Sequence, residues 1–221
     1  MTTANLNQFT LDELADHYAA WLKQVLPAEA RRLMVPILRE LATTGQPLEP
    51  QRLATLAGLS LERTLALLRE APTEWDPSGE RVVGGFGLTS IPTPHRYEVR
   101  GHSLWVWCAV DALMFPVLIG APALIQSPCV ATGDPIQIDL SPTGVARVEP
   151  ASAVVSFLLP ATDLAGFREA ACKRNNFYRS AEDAASWLAK YSQGRPLPAA
   201  EAFEVYRRAA VNVWGEELSR G

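Results

Sequence analysis

The chain has 221 residues, 48% hydrophobic and 20% charged, with 17 prolines and 14 glycines spread along it, which excludes a disordered polymer and fits one large domain or two small ones. A formal net charge of −4 supplies no bulk attraction to nucleic-acid phosphates or anionic lipid, so such partners need a local argument. Three cysteines cannot all pair with one another, and the opening MTTANLNQFTLDELADHY lacks a basic patch followed by an apolar run; reduced thiols in the cytoplasm are expected.

Thr10 and Glu13 have capping-box spacing, and Leu14, Tyr18, Trp21, Leu22 and Val25 recur on one face up to Pro27, which predicts a first helix. A second is expected over 29–43, kinked at Pro36 and ended by Gly45 and Pro47. Two shorter helices follow at 50–57 and 61–71, separated by Gly58-Leu59-Ser60 with Ser60 as cap. After the turn Asp76-Pro77-Ser78-Gly79, strands are expected over 81–90 and 95–100. Helix-turn-helix grammar followed by a hairpin resembles a winged helix. Its candidate recognition helix, however, balances Arg63 and Arg69 against Glu62 and Glu70, so no nucleic-acid partner is expected.

Residues 104–125 (LWVWCAVDALMFPVLIGAPALI) are apolar and long enough to span a bilayer. Asp111 near the centre costs about 2.5–3.5 kcal/mol on insertion scales, and Pro116, Gly120 and Pro122 interrupt the run. The expectation is therefore no membrane span but a buried helix over 103–116. Strands should follow at 122–128, 135–140, 144–148 and 152–159, then helices at 162–173, 181–191 (capped by Ser180) and 199–214. The fold class is α+β: an amino-terminal helical, winged-helix-like region, residues 1–100, followed by a mixed α+β core with antiparallel strands, residues 101–221.

Phosphate-binding GxxxxGK[ST], HExxH, GxSxG and paired CxxC patterns are absent. Gly84-Gly85-Phe86-Gly87 lacks dinucleotide spacing and reads as flexible hairpin backbone. Trp107-Cys108-Ala109-Val110-Asp111 carries more chemistry, because residues three apart on a helix share a face and join a thiol to a carboxylate. A buried thiol alone is an ordinary small hydrophobe. An aspartate among Leu, Met, Phe, Val and Trp is costly unless paired or functional, and such a setting pushes a carboxyl towards proton transfer. Cys172, with Arg168, Lys173 and Arg174 nearby, reads either as an activated thiol or as a helix cysteine among solvated charges. Cys129 has no charged neighbour and reads as structural. His102 precedes Cys108 by six positions, which leaves a Cys–His hydrolase as a weak reading, and a solvated histidine accounts for it better.

LWVWCAVDALMFPVLIG (104–120), SPCVATGDPI (127–136), VEPASAVVSFLLP (148–160) and FREAACKRNNFY (167–178), with LMVPILRELATTGQPL (33–48) and GGFGLTS (84–90) upstream, resemble the organomercurial (alkylmercury) lyase family across roughly residues 30–190. By that resemblance Cys108 matches the first catalytic cysteine, Asp111 the catalytic acid, Cys172 the second cysteine and Cys129 the family's non-catalytic cysteine. Lys173 and Arg174 stand where some members carry a further cysteine and a histidine.

The resemblance implies cleavage of carbon–mercury bonds without a redox cofactor, in mercury detoxification. Its partners would be an organomercury substrate, cellular thiols and a mercuric reductase that accepts Hg(II). The residue types suit that chemistry, since mercury(II) is soft and thiolates are its natural ligands. Trp105, Trp107 and Phe115 either shape a dry pocket for the organic group or are plain core packing. The competing reading is a thiol-based metal-binding protein or metal-responsive winged-helix regulator in which the same three residues only ligate a metal.

Overall fold

A computed structural model describes residues 5–159 and 172–218. The helices are α1 (Leu11–Val25), α2 (Ala28–Thr44), α3 (Pro50–Ala57), α4 (Leu61–Glu70), α5 (Ala109–Ile119), α6 (Ala185–Lys190) and α7 (Ala199–Leu218). The strands are β1 (Thr73–Trp75), β2 (Val82–Gly85), β3 (Leu88–Thr89), β4 (His95–Val99), β5 (His102–Val106), β6 (Ala123–Pro128), β7 (Pro135–Ser141), β8 (Gly144–Glu149), β9 (Val154–Phe157), β10 (Phe177–Tyr178) and β11 (Arg195–Pro198). The class is α+β, as expected.

Local chemistry places the first four helices. Thr10 and Glu13 form the reciprocal cap of α1: the Thr10 N–H donates to Glu13 Oε2 at 2.8 Å, and the Glu13 N–H donates to Thr10 Oγ1 at 3.3 Å. Helix α2 runs through Pro36 and buries Leu33, Ile37, Leu38 and Leu41. Gly58, at φ 64°, closes α3 in the left-handed conformation that glycine tolerates, and Ser60 caps α4 by accepting from the Arg63 N–H.

One sheet of eight strands, in the order β1-β2-β3-β5-β4-β6-β7-β8, pairs antiparallel throughout, and a second of three strands has the order β10-β9-β11. Residue 101 sits at the tip of the β4–β5 hairpin, so the larger sheet continues across that position. Strands β6 and β7 alternate buried with half-buried positions and turn one face to the core. On that face lies α5, buried at every position and packed against α7, α2 and strands β4, β5 and β7. Helix α1 packs on α7 and closes the helical layer.

The single helix expected over 103–116 is a correction. His102–Val106 is strand β5, paired with β4 and β3, and the helix starts at Ala109. His102, Ser103, Leu104, Trp105 and Val106 follow the two-residue alternation of a strand; the continuous apolar run after them masks that short period. The stretch 104–125 thus divides among β5, α5 and β6, and among the described residues no helix is long and apolar enough to cross a membrane. The helix expected at 162–173 lies outside the described residues except for Cys172 and Lys173, which form a 3-10 turn with Arg174. The helix expected at 181–191 is shorter, Ala185–Lys190, with Ser180 capping the preceding turn through the Asp183 N–H.

Candidate active site

The chain leaves the sheet at Trp107, whose N–H donates to the Gly87 carbonyl at 3.0 Å, and turns into α5 at Cys108. Cys108 is extended (φ −157°, ψ 177°) and occupies the N-cap position. Its sulfur faces the Asp111 N–H, and its own N–H donates to Asp111 Oδ2 at 3.1 Å, which is a capping box with cysteine in place of the usual serine or threonine. Thiol and acid are therefore joined, although by a cap and not by a shared helix face as the spacing suggested.

Cys172 arrives from the 3-10 turn. Three residues on, the Asn175 carbonyl accepts the Ala109 N–H at 3.2 Å, and Asn175 Oδ1 accepts the Leu158 N–H at 3.2 Å. This buried asparagine ties the Cys172 turn to the first turn of α5 and to the chain leaving β9. As a result one ligand atom from each of Cys108, Asp111 and Cys172 lies within 4.8 Å of the others, all three side chains being buried.

Electrostatics decide the state of these groups. The N-terminus of α5 favours negative charge, yet burial dominates and pushes the Cys108 thiol well above its ordinary value, helped by its hydrogen bond with Cys172 and by the Asp111 and Cys172 charges. The Asp111 backbone N–H pulls the other way. None of these influences on Cys108 among the described residues is a cation.

Two tyrosines stand behind the group. Burial raises both phenols well above the usual range; for Tyr18 the next influence is Tyr206, followed by Cys108, Asp111 and Cys172, and for Tyr206 it is Cys108 and then Asp111. Their rings meet edge to face at 5.2 Å, and the Tyr206 hydroxyl is buried with no hydrogen-bond partner among the described residues. A narrow apolar cleft lined by Tyr18, Leu22, Met34, Phe86, Met114 and Phe115 reaches Asp111. Phe115 lines this cleft, whereas Trp105 and Trp107 do not.

The other sequence candidates fall elsewhere. Cys129 is buried with its sulfur 3.9 Å from Asp183 Oδ2, and it is not part of the cluster of Cys108, Asp111 and Cys172. His102 sits at the opposite end of β5 from Cys108, its Nε2 3.0 Å from the Thr43 carbonyl and its ring against Gly45. The Gly84–Gly87 run is tightly packed: a Cβ at Gly84 would stand 2.6 Å from Thr89 Oγ1, and one at Gly87 would stand 2.5 Å from Asp111 Cγ. Tyr18, Tyr206, Phe86, Gly87 and Asn175 are site residues that sequence reasoning did not assign. Of these, Phe86 and Gly87 lie in the glycine run that the sequence reads as flexible hairpin backbone.

The family model for alkylmercury lyase matches residues 88–210. The alkylmercury lyase of Staphylococcus epidermidis is 42% identical over 176 residues, covering 79% of this chain and 80% of that one. That of Bacillus cereus is 41% identical with 79% of each covered, and that of Pseudomonas putida 40% identical with 80% and 82% covered. Among solved structures, the mercury-bound form of MerB2 superposes with a TM-score of 0.70 at 23% identity, over 91% of this chain and 98% of that one, and so shares the fold. With the family model matching more than half of its length and relatives of this similarity spanning most of it, the chain belongs to the alkylmercury lyase family.

Proposed function

We propose that this enzyme cleaves carbon–mercury bonds by protonolysis, with Cys108 and Cys172 as the mercury ligands and Asp111 as the proton carrier. The observation that carries the assignment is the convergence of two thiols and one carboxyl in a buried, apolar pocket. Mercury(II) is soft and takes thiolates readily.

The reaction balances without an electron donor. Cys108 displaces the substrate's leaving thiol, which departs with the Cys108 proton, and a Cys108 Sγ–Hg–R bond forms. Asp111 then takes the Cys172 proton as that sulfur binds the metal. Sulfur donation makes the carbon more basic. Asp111 delivers the proton to carbon, the C–Hg bond breaks with its electron pair kept by carbon, and RH leaves. Mercury stays in the +2 state, bound to both sulfurs, so neither redox change nor cofactor is called for. Excluding bulk water keeps the carboxyl proton for the carbon atom.

Two external thiols exchange for the two protein sulfurs and release Hg(II), either into the thiol pool or to a mercuric reductase. Three free cysteines suit a reducing, cytoplasmic setting for such mercury detoxification. We read the helical region before residue 101 as a cover for the catalytic core and not a reader of DNA. In support, Arg63 of α4 is engaged by Glu29 at 2.6 Å, which leaves that helix little free positive charge.

The test is incubation with methylmercury and excess thiol, with headspace gas chromatography for methane. Repeated turnover is expected. Mercury bound without methane would leave only a metal-binding protein.

A further inference from the structure

We propose that Gly87 is a positioning residue for this reaction, its bare backbone fixing where the Asp111 carboxylate stands relative to the two thiols. The inference rests on the acid role of Asp111 given above.

The β2–β3 turn carries two consecutive residues of positive φ, Phe86 at 54° and Gly87 at 111°. The first is a bulky residue in a region such residues rarely occupy. Both are pinned from outside the turn, since the Phe86 N–H donates to the Pro72 carbonyl at 3.1 Å and the Gly87 carbonyl accepts from Trp107 at 3.0 Å. The turn is thus held against the start of α5, and Phe86 contributes to the cleft beside Asp111.

A Cβ placed on Gly87 would stand 2.5 Å from Asp111 Cγ, 2.5 Å from Oδ1 and 2.7 Å from Oδ2. All three carboxyl atoms would be struck together, so the Gly87 backbone lies close against the whole group. Turn geometry alone does not demand this: Gly79, Gly101, Gly120 and Gly133 also have positive φ, and a Cβ on any of them would meet open space. The Cys108 N–H also holds Oδ2. The carboxylate is thus fixed by an amide that donates to it and packed against a glycine at which it leaves no room for a Cβ. Proton transfer is sensitive to displacements of this size.

A double-variant cycle tests the proposal: Gly87→Ala, Asp111→Ala and the pair, compared for melting temperature, mercury bound per chain, and hydrocarbon released in a single turnover. The backbone strain of alanine at position 87 is present in both backgrounds and cancels. Alone, Gly87→Ala should bind mercury to the parent stoichiometry yet cleave at least tenfold more slowly. Its loss of melting temperature should shrink once Asp111 is alanine, and it should slow residual cleavage no further in that background. Cleavage by Gly87→Ala at the parent rate, or the same thermal loss with and without the Asp111 side chain, would overturn the proposal. Should Gly87→Ala fail to fold, recovery of folding in the pair supports the contact and continued failure overturns it. Asp111→Asn run in parallel separates the two readings: if it is inactive while Gly87→Ala is active, only this proposal falls. If it cleaves at the parent rate, the acid role falls and this proposal with it.

Discussion

Replacing Asp111 with asparagine keeps the side chain's shape and an oxygen able to accept the Cys108 N–H, now bonded at 3.1 Å, but removes the group that carries a proton. The cap on α5 should survive, so the melting temperature should change little. Loss of a positioned acid–base group costs about 10²–10⁴ in rate, equivalent to roughly 3–6 kcal/mol at about 1.4 kcal/mol per factor of ten. Mercury capture depends on the sulfurs and should be unchanged. Intact-protein mass spectrometry should find R–Hg retained on the variant where the parent carries inorganic mercury or none, and headspace analysis should show the fall in hydrocarbon. Cleavage within a factor of a few of the parent rate would refute the assignment and move the proton to a thiol or water.

Cys108→Ser and Cys172→Ser should each lose most turnover with circular dichroism unchanged, because serine preserves size but binds mercury poorly; substantial cleavage by either removes that sulfur from the mechanism. Cys129→Ser should keep turnover. Burial pushes that thiol's pKa up, but donors from Thr132 and from the Arg179 and Ala131 backbone outweigh burial and hold it below the usual value. A hydroxyl can use the same partners, so a loss of about 1 kcal/mol in stability is expected, and an inactive but folded variant would contradict the structural role. His95 is held neutral by burial down to about 4, from an ordinary 6.5. Between those values the unfolded chain binds more protons than the folded one. Stability should therefore be full above about pH 6.5, fall as pH drops from there to about 4, by up to about 3 kcal/mol, and lose no more to His95 below that. Denaturant titrations should show this dependence flattened in His95→Asn, and an unchanged slope would place its origin elsewhere.

The amino-terminal helices were legible because their signals are local: the Thr10–Glu13 pair, Ser60, and Gly58 act within a turn of where they stand in sequence. Strand β5 was not, since its alternation spans only His102–Val106 before uniformly apolar residues begin. The same boundary hid the geometry of the thiol–acid pair. Cysteine is an unusual partner in a capping box, so the spacing of Cys108 and Asp111 looked like a helix face. Chemical type still singled out the pair, since an aspartate among large apolar side chains needs a reason to be there. That Cys172 joins it depends on Asn175 gripping Ala109, and that Gly87 touches Asp111 depends on the β2–β3 turn meeting the start of α5. Both are contacts between distant segments, which no local pattern encodes. Tyr206 likewise reads as one more apolar position of α7 until packing buries its hydroxyl behind the thiols.

The central claim is that one pocket both binds the metal and supplies the proton. It is tested most directly by a single turnover of the purified protein with equimolar methylmercury and no added thiol. Methane stoichiometric with protein should be released, with inorganic mercury left on the chain and two sulfurs around it by X-ray absorption. Methylmercury recovered intact from the protein, with no methane formed, would contradict the account.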